Sequence, residues 1–489
     1  MIGRLGIGLF AALCALATPA AVAATAPVSS VDTAPKQRLI VLTDIEAEAD
    51  DSQSLVRLLL YADTIDIEGL IATTSTHMRG EIHPESIRAT IAAYAQVRPN
   101  LLKHDPGFPP AAALLAKVSE GQSSYGMAAV GNGKDTPGSQ QIIRALDAAD
   151  PRPLWVAVWG GPNTLAQALF TLRATRAPAE LKRLIAKLRV YAISDQDDSG
   201  AWLRRTFPDL FYVVSPGGYG HATWGAIMQP VDGIDNRTIS NAWLAANIQQ
   251  GHGPLGAAYP DVAYGMEGDT PSFLSLIPNG LNVPEHPDWG GWGGRYQYYV
   301  PSLTDLDPKG FTGGVPVEAE TRSIWTNAID SFIPYVAAEY RRAAKPGTAS
   351  FKDDRVTLWR WRDDFQNDFA ARIGWTTLPY GRANHPPVPK LAHSDQLTVR
   401  SGETLMLDAS GTSDPDGDSL SYLWFPYPEA TGWTQPIALQ GAENMKRALF
   451  RAPDVTRATT LHFILRVMDK GMPPLSRYKR VIVTILPRE

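Results

Sequence analysis

The chain has 489 residues, 44% of them hydrophobic and 19% charged, with 41 glycines, 39 prolines and 13 tryptophans. That length exceeds one ordinary domain, and the apolar content excludes collagen-like and wholly disordered chains. The net charge of −5, from 45 basic and 50 acidic side chains, comes with no basic run, so neither nucleic acid nor an anionic membrane is expected as a partner.

Residues 1–23 read as a secretory signal: Arg4 supplies the positive start, residues 5–17 a short apolar run, and Ala21-Val22-Ala23 a cleavage site. The run is short for a bilayer span, and no later segment is long enough, so the protein is expected to be periplasmic or secreted. The single cysteine, Cys14, falls inside this signal, after Leu13, where a lipoprotein signal has Gly or Ala. Cleavage leaves no thiol for zinc, catalysis or disulfides. Residues 24–36 form a Pro/Ser/Ala-rich flexible leader.

From residue 37 strand-like and helix-like patterns alternate. Residues 38–43 (RLIVLT) predict a strand, 52–62 (SQSLVRLLLYA) a helix and 65–73 (IDIEGLIAT) the next strand. The scheme repeats at 153–159 (PLWVAVW) with helix 163–172, and at 188–193 (LRVYAI) with helix 201–205. Strands apolar on both faces, alternating with helices, predict an open, doubly wound, mostly parallel α/β domain over 37–380. Residues 231–314, rich in Gly, Pro and Trp, lack periodicity, and loops that long inside a domain are more often functional. Helical text returns at 318–344 and 359–371.

A Pro-rich linker follows at 381–389 (GRANHPPVP). Over 390–489, short alternating strands at 396–400, 404–408, 419–425, 460–468 and 478–486 predict a β-sandwich. The string ASGTSDPDGD (409–418), followed by SYLW (421–424), resembles the immunoglobulin-like modules of exported bacterial proteins.

Three predicted strands end in polar clusters: TDIEAEADD (43–51), GGPNT (160–164) and SDQDDS (194–199). In open α/β sheets ligands bind beyond the carboxyl ends of strands, at the switch point, so these clusters should meet on one edge. Asp50, Asp51 and Asn163 also suit helix N-termini. Five carboxylates within 44–51, however, raise one another's pKa and cost stability unless a cation neutralises them. Calcium suits such an oxygen-rich set. The spacing is not that of an EF-hand, because position six counted from Asp44 is Ala49 and position twelve is Leu55.

TDIEAEADDSQSLVRLLLY resembles the metal loop of inosine-uridine type nucleoside hydrolases, with pattern D-x-D-P-G-x-D-D. The match is closer to secreted bacterial nucleoside hydrolase-like proteins, some described as cellulose-binding. IEGLIATTST (67–76), ISDQDDSGAW (193–202), GPLGAAYP (253–260), EGDTPSFLSLIPNGLN (267–282) and WGGWGGRY (289–296) carry the same resemblance, which spans essentially the whole mature chain. It implies a nucleoside hydrolase-like α/β domain with a C-terminal immunoglobulin-like sandwich. It also implies bound calcium, with Asp44 as metal ligand and general base, Asp51 and Asp269 as further metal ligands, and Glu267 in reserve for Asp269. Asp50 is implied to bind a sugar hydroxyl, and the Asn163 loop to face calcium through a backbone carbonyl. Asn163, Asp197, Asp198 and Glu267 are taken as substrate contacts, with Asp197 or Asp198 as the acid.

The chemistry fits these residue types: glycosyl hydrolysis passes through an oxocarbenium-like centre, with a carboxylate activating water and an acid protonating the leaving group. Calcium orients ring hydroxyls and water together. Three departures from the hydrolase pattern stand out. Leu42 replaces the first motif aspartate, Asp44 and Asp50 lie six positions apart instead of four, and Gly268 replaces a histidine implicated in leaving-group protonation. The expectation is an exported calcium-dependent hydrolase of a furanoside or N-glycoside, acting on a sugar or nucleoside. Its rival is a non-catalytic binder of cellulose or other cell-wall polysaccharide with a degenerate pocket.

Other constellations are weaker. There is no His-x-x-x-His pair, G-x-S-x-G elbow or P-loop. His77, His221 and His286 fall near the proposed edge and read as structural. Trp289, Trp292 and Tyr296 offer either a sugar-stacking rim or core packing, about evenly. Asp414, Asp416 and Asp418 offer a calcium loop, although a plain Asp-Gly turn fits better.

Overall fold

A strand apolar on both faces needs cover on both sides, and β1 (Gln37–Thr43) receives it. Leu39 and Val41 face one core, while Ile40 and Leu42 face the other. In the computed structural model β1 pairs in parallel with β2 (Ile65–Ala72) on one side and β4 (Leu154–Val158) on the other. The residues described are 35–217, 220–262, 266–306, 315, 317–334 and 350–488. The expected signal at 1–23 and most of the leader lie outside them.

The sheet has eight strands in the order β3-β2-β1-β4-β5-β6-β8-β7, adding β3 (Val118–Glu120), β5 (Leu188–Ala192), β6 (Phe211–Val214), β7 (Tyr296–Tyr299) and β8 (Ile324–Asn327). All pairs are parallel except β7 with β8. The chain winds outward through β2 and β3, then returns to the middle at β4. The switch point therefore lies between β1 and β4. Helix α1 (Ala49–Leu59) carries the chain from β1 to β2, and helix Asn163–Thr175 leaves β4.

The helical text expected at 318–344 does not fold as helix where it is described. Ile324 and Thr326 point inward while Trp325 and Asn327 are half-buried, the alternation of a strand. That strand is β8, and β9 (Asp330–Phe332) then pairs with β10 (Phe351–Asp353). Asp330 anchors this stretch, held by Arg295 at 2.6 Å and Arg360 at 3.2 Å. Residues 335–344 lie outside the described set.

The C-terminal sandwich has a four-stranded sheet, β11-β17-β16-β13, and a three-stranded one, β12-β15-β14. The strands are β11 (Gln396–Arg400), β12 (Thr404–Asp408), β13 (Ser421–Pro426), β14 (Leu439–Gln440), β15 (Arg447–Arg451), β16 (Thr459–Met468) and β17 (Ser476–Leu486). Trp424, Phe450, Phe463 and Leu465 fill the core between them. This sandwich shares a packed face with the α/β layer: Tyr427, Ile464 and Tyr478 join Trp292, Trp361 and Phe365 in one cluster. Asp364, on helix Arg362–Gly374, accepts from the hydroxyls of Ser476 and Tyr478 and pairs with Arg466. Among the described residues no helix is long and apolar enough to cross a membrane.

Candidate functional site

Two of the predicted polar clusters follow β1 and β4, the strands that flank the switch point, and the third follows the neighbouring β5. β1 ends at Thr43, so Asp44 leaves the sheet at its carboxyl edge, and a short turn closed by Ala47 N–H to Asp44 C=O leads into α1. Asp50 and Asp51 occupy the first turn of α1, where unpaired backbone N–H groups and the helix dipole favour anions. Asp269 arrives from the loop ahead of the short helix Pro271–Leu274. One carboxylate oxygen from each of Asp50, Asp51 and Asp269 lies within 4.8 Å of the others, and all three side chains are buried.

Asp44 joins them from the side. A β-carbon on Gly160 would lie 2.7 Å from Asp44 Oδ1 and 2.8 Å from its Cγ, so glycine is what lets the β4 loop close on this carboxylate. Thr43 Oγ1 donates to Asp51 Oδ1, and Trp224 Nε1 donates to Asp50 Oδ2 at 2.9 Å. Both oxygens of Asp44, Oδ1 of Asp50 and Oδ2 of Asp269 are buried without a hydrogen-bond partner. The Ser75 hydroxyl lies close enough to lower the Asp44 pKa but makes no well-formed bond to it.

Such a set is electrostatically frustrated. Burial pushes the Asp44 carboxyl up to about 6, and raises Asp50 as well. Asp51 and Asp269 are raised well above the ordinary range, first by burial and then by the neighbouring carboxylates. Glu48, half-buried ahead of α1, is pushed up to about 8 by burial and by the Asp44 and Asp50 charges. Among the described residues no lysine or arginine pairs with Asp44, Asp50, Asp51 or Asp269. Orphaned buried oxygens on converging hard ligands fit a divalent cation, with Asp50, Asp51 and Asp269 the three within reach of one another and Asp44 beside them.

The remaining expected residues divide. Asp197, after β5, is buried; Oδ1 accepts from the backbone N–H of Ser199 at 2.8 Å and from its hydroxyl. Its Oδ2 lies against Gly161 without a partner, and burial pushes the carboxyl up to about 7. Asp198 is exposed and spends one oxygen on the Met127 N–H at 2.7 Å.

Four of the residues expected to contact substrate, Asn163, Glu267, Trp289 and Trp292, are engaged by protein groups. The Asn163 amide is consumed by protein: its oxygen accepts from Thr73 Oγ1 at 2.9 Å, and its nitrogen donates to Thr74 Oγ1 and the Ser124 carbonyl, both at 2.9 Å. It braces the end of β2 instead of facing a ligand. The Glu267 carboxylate turns to Arg57 at 2.7 Å and to the Tyr259 hydroxyl at 2.9 Å, so it is neither the reserve metal ligand nor a sugar contact. Glu267 has φ 52°, a left-handed backbone that this buried pair holds in place. Trp292 is fully buried, edge-on to Phe365 and Tyr478, and Tyr296 lies in the core against Tyr191. Trp289 is half-buried, with His286 stacked at 4.0 Å on one face and the His462 ring edge-on at 4.6 Å. None of the three forms an open stacking rim.

His77 and His221 do lie near the edge. His77 Nδ1 is 3.5 Å from Glu48, and His221 Nδ1 is paired with Asp354. Sequence reasoning missed Trp224, which no motif announces, and Glu48, which was counted only as one acid in a run.

The profile of the cellulose-binding Sde182 nucleoside hydrolase-like domain matches residues 38–296, and that of the C-terminal domain of cellulose-binding protein Sde0182 matches residues 404–485. A solved structure of a nucleoside hydrolase-related hypothetical protein from Saccharophagus degradans, associated with carbohydrate metabolism, is 36% identical. The alignment covers 92% of this chain and 100% of that one, with a TM-score of 0.74. The PKD domain from KIAA 1837 protein also matches, at 26% identity over 19% of this chain and 82% of that one, but its TM-score of 0.15 carries no argument. No curated protein matches.

Proposed function

Because the chain belongs to the cellulose-binding Sde182 nucleoside hydrolase-like family, we propose that it is an exported, calcium-dependent hydrolase of glycosyl bonds, acting on a furanoside or N-glycoside in saccharide or nucleoside scavenging. The observation that carries this reading is the convergence of Asp50, Asp51 and Asp269, with Asp44 beside them, on orphaned, buried oxygens at the sheet switch point. Asp44, Asp51 and Asp269 would hold the cation. When bound, it supplies charge that acidifies water and orients hydroxyls.

The chain's own groups supply the rest. Asp44, whose two oxygens have no donor from the protein, takes the proton of the attacking water. Asp50, steadied by Trp224, accepts from a sugar hydroxyl. Asp197, titrating at about 7, keeps a proton near neutrality and donates it to the leaving group, the part Gly268 cannot play.

A second reading, carbohydrate binding without catalysis, is favoured by the family's own description and by Leu42 in place of the first motif aspartate. Cell-wall polysaccharide is then the partner. Removing the sandwich is no clean test, since Tyr427 and Tyr478 close the α/β core. The full mature chain and Asp44→Asn should instead be compared for calcium content, release of sugar from a panel of furanosides and nucleosides, and retention on cellulose. Hydrolysis lost in Asp44→Asn, with the melting transition preserved, supports catalysis. Absence of bound calcium, or hydrolysis untouched by the substitution, overturns it. Retention on cellulose by both proteins with no hydrolysis by either selects the binding reading.

A further inference from the structure

The acidic loop of the sandwich, 414–418, is more than a turn. Asp414 Oδ1 accepts from the N–H groups of Asp416 at 2.9 Å and Asp418 at 3.0 Å, and Gly417 takes φ 82°, as an Asp-Gly turn requires. The turn does not account for Asp414 Oδ2, which is buried with no partner. Nor does it account for two similar oxygens on separate segments, Oδ2 of Asp469 at the end of β16 and Oδ1 of Asn384 in the linker.

Both of those side chains are more than nine-tenths buried, Asp469 at 0% exposure and Asn384 at 7%. Each is fixed by its other atom. Asp469 Oδ1 collects the N–H groups of Gly471 at 3.1 Å and Leu475 at 2.9 Å, and the Asn384 amide nitrogen at 3.1 Å. That nitrogen also donates to the Pro473 carbonyl at 2.7 Å. Donors are thus placed to leave one oxygen of each residue unused inside the protein, an expensive arrangement unless something accepts it.

The segments meet at the loop. His385, next to Asn384, donates its N–H to Asp416 Oδ2 at 2.6 Å and turns Nδ1 to Asp416 Oδ1 at 3.0 Å. The Asp414 charge is felt at Asp469. Oxygens of Asp414, Asp416 and Asp418 lie within 4.8 Å of one another. Lys446 lines the same cleft, yet its ammonium sits over the Tyr422 ring at 6.0 Å and makes no ion pair among the described residues. The one cationic side chain paired with the loop carboxylates among the described residues is thus His385, on Asp416.

We propose that Asp414, Asp416 and Asp418 of the loop, Asp469 just after β16 and Asn384 of the linker form a second, structural cation site that takes calcium and ties the linker to the sandwich. An all-oxygen set with several carboxylates and an amide carbonyl is what calcium selects. The bound ion also reaches the α/β domain, because His385 stacks between Tyr380 at 3.9 Å and Trp375 at 5.2 Å and its Nε2 lies 2.9 Å from His104. The site is independent of the Asp44 cluster.

The test uses the full mature chain carrying Asp51→Asn, so that only the second site is read. Terbium(III) is titrated in, with sensitised emission excited through Trp375 and Tyr380, followed by displacement with calcium. We expect one ion per chain, weakened roughly 10-fold or more by Asp469→Asn or Asp414→Asn. Both changes keep the side-chain oxygen that accepts the turn N–H groups. In parallel, calcium should slow tryptic cleavage after the exposed Arg382 several-fold, and this protection should vanish in either variant. No terbium binding by the Asp51→Asn chain, or parental affinity retained in both further variants, overturns the proposal. If a variant does not fold, the calcium effect on cleavage of the parent decides, and an unchanged rate overturns it.

Discussion

Removing calcium should make stability fall as pH rises, the reverse of ordinary acid denaturation. A carboxyl whose folded pKa is raised binds its proton more tightly folded than unfolded. Its stabilising contribution is complete below the unfolded value and is lost as pH climbs through the folded one. For Asp44 the window runs from 3.8 to about 6. At 1.36 kcal/mol per pH unit that is about 3 kcal/mol. Asp50, Asp51 and Asp269 move in the same direction, though coupled sites do not add. A cation that binds the ionised cluster restores what is lost, so the calcium-induced rise in Tm should be near zero at low pH and grow toward pH 8. For a chain this size, roughly 1–2 °C per kcal/mol gives a rise on the order of 3–6 °C from Asp44 alone. The assay is scanning calorimetry of chelated and calcium-loaded protein from about pH 4 to 8. An Asp469→Asn background keeps the sandwich site out of the difference. A calcium increment that is flat, or that shrinks as pH rises, would refute the reasoning.

Gly160→Ala should displace Asp44, because the new methyl meets three atoms of that side chain at 2.7–2.9 Å. Overpacking of about 1–3 kcal/mol predicts calcium affinity lowered roughly 5- to 150-fold with the fold retained, read by isothermal calorimetry. Trp224→Phe removes the donor at Asp50 Oδ2 and leaves that carboxylate without a partner. Sugar affinity should fall about 10-fold and the Asp50 pKa should rise further, with calcium binding kept; a KM-against-kcat comparison separates these. Trp292→Ala should cost about 3–5 kcal/mol in denaturant unfolding without altering retention on cellulose. An unchanged midpoint with lost retention would reinstate the stacking rim.

How much of this was legible depends on whether a residue's partner lies nearby in the chain. The strand over 38–43 and the strands at 396–400 and 404–408 were readable because burial on one or two faces writes a local pattern. Residues 324–327 were not read as a strand, since four residues of alternation are too few to outweigh the helical composition that follows. Asp44, Asp50 and Asp51 stood out because like charges at that density have no local excuse. Glu267 misled for the same reason in reverse: its neutralising partner, Arg57, is 210 positions away. Trp292 could be read as rim or core because its cover, Tyr478, belongs to the other end of the chain.

That dependence on distant partners explains why the two acidic centres differ in legibility. Around Asp44 the frustration is concentrated, three carboxylates within one turn and a helix start, so the sequence alone exposes it. In the sandwich the turn conceals it. Asp414, Asp416 and Asp418 satisfy an ordinary Asp-Gly signature, and the unspent oxygens that raise the cost sit on Asn384 and Asp469, 85 residues apart. Donors placed on one atom of a buried carboxylate or amide while the other is left bare are stable only with a cation or with protonation. Asp469 can escape by protonation, and burial pushes it that way, but the Asn384 oxygen has no such escape. An amide carbonyl cannot relieve itself by titrating, so the linker oxygen is the stronger sign of a ligand than any of the four acids beside it.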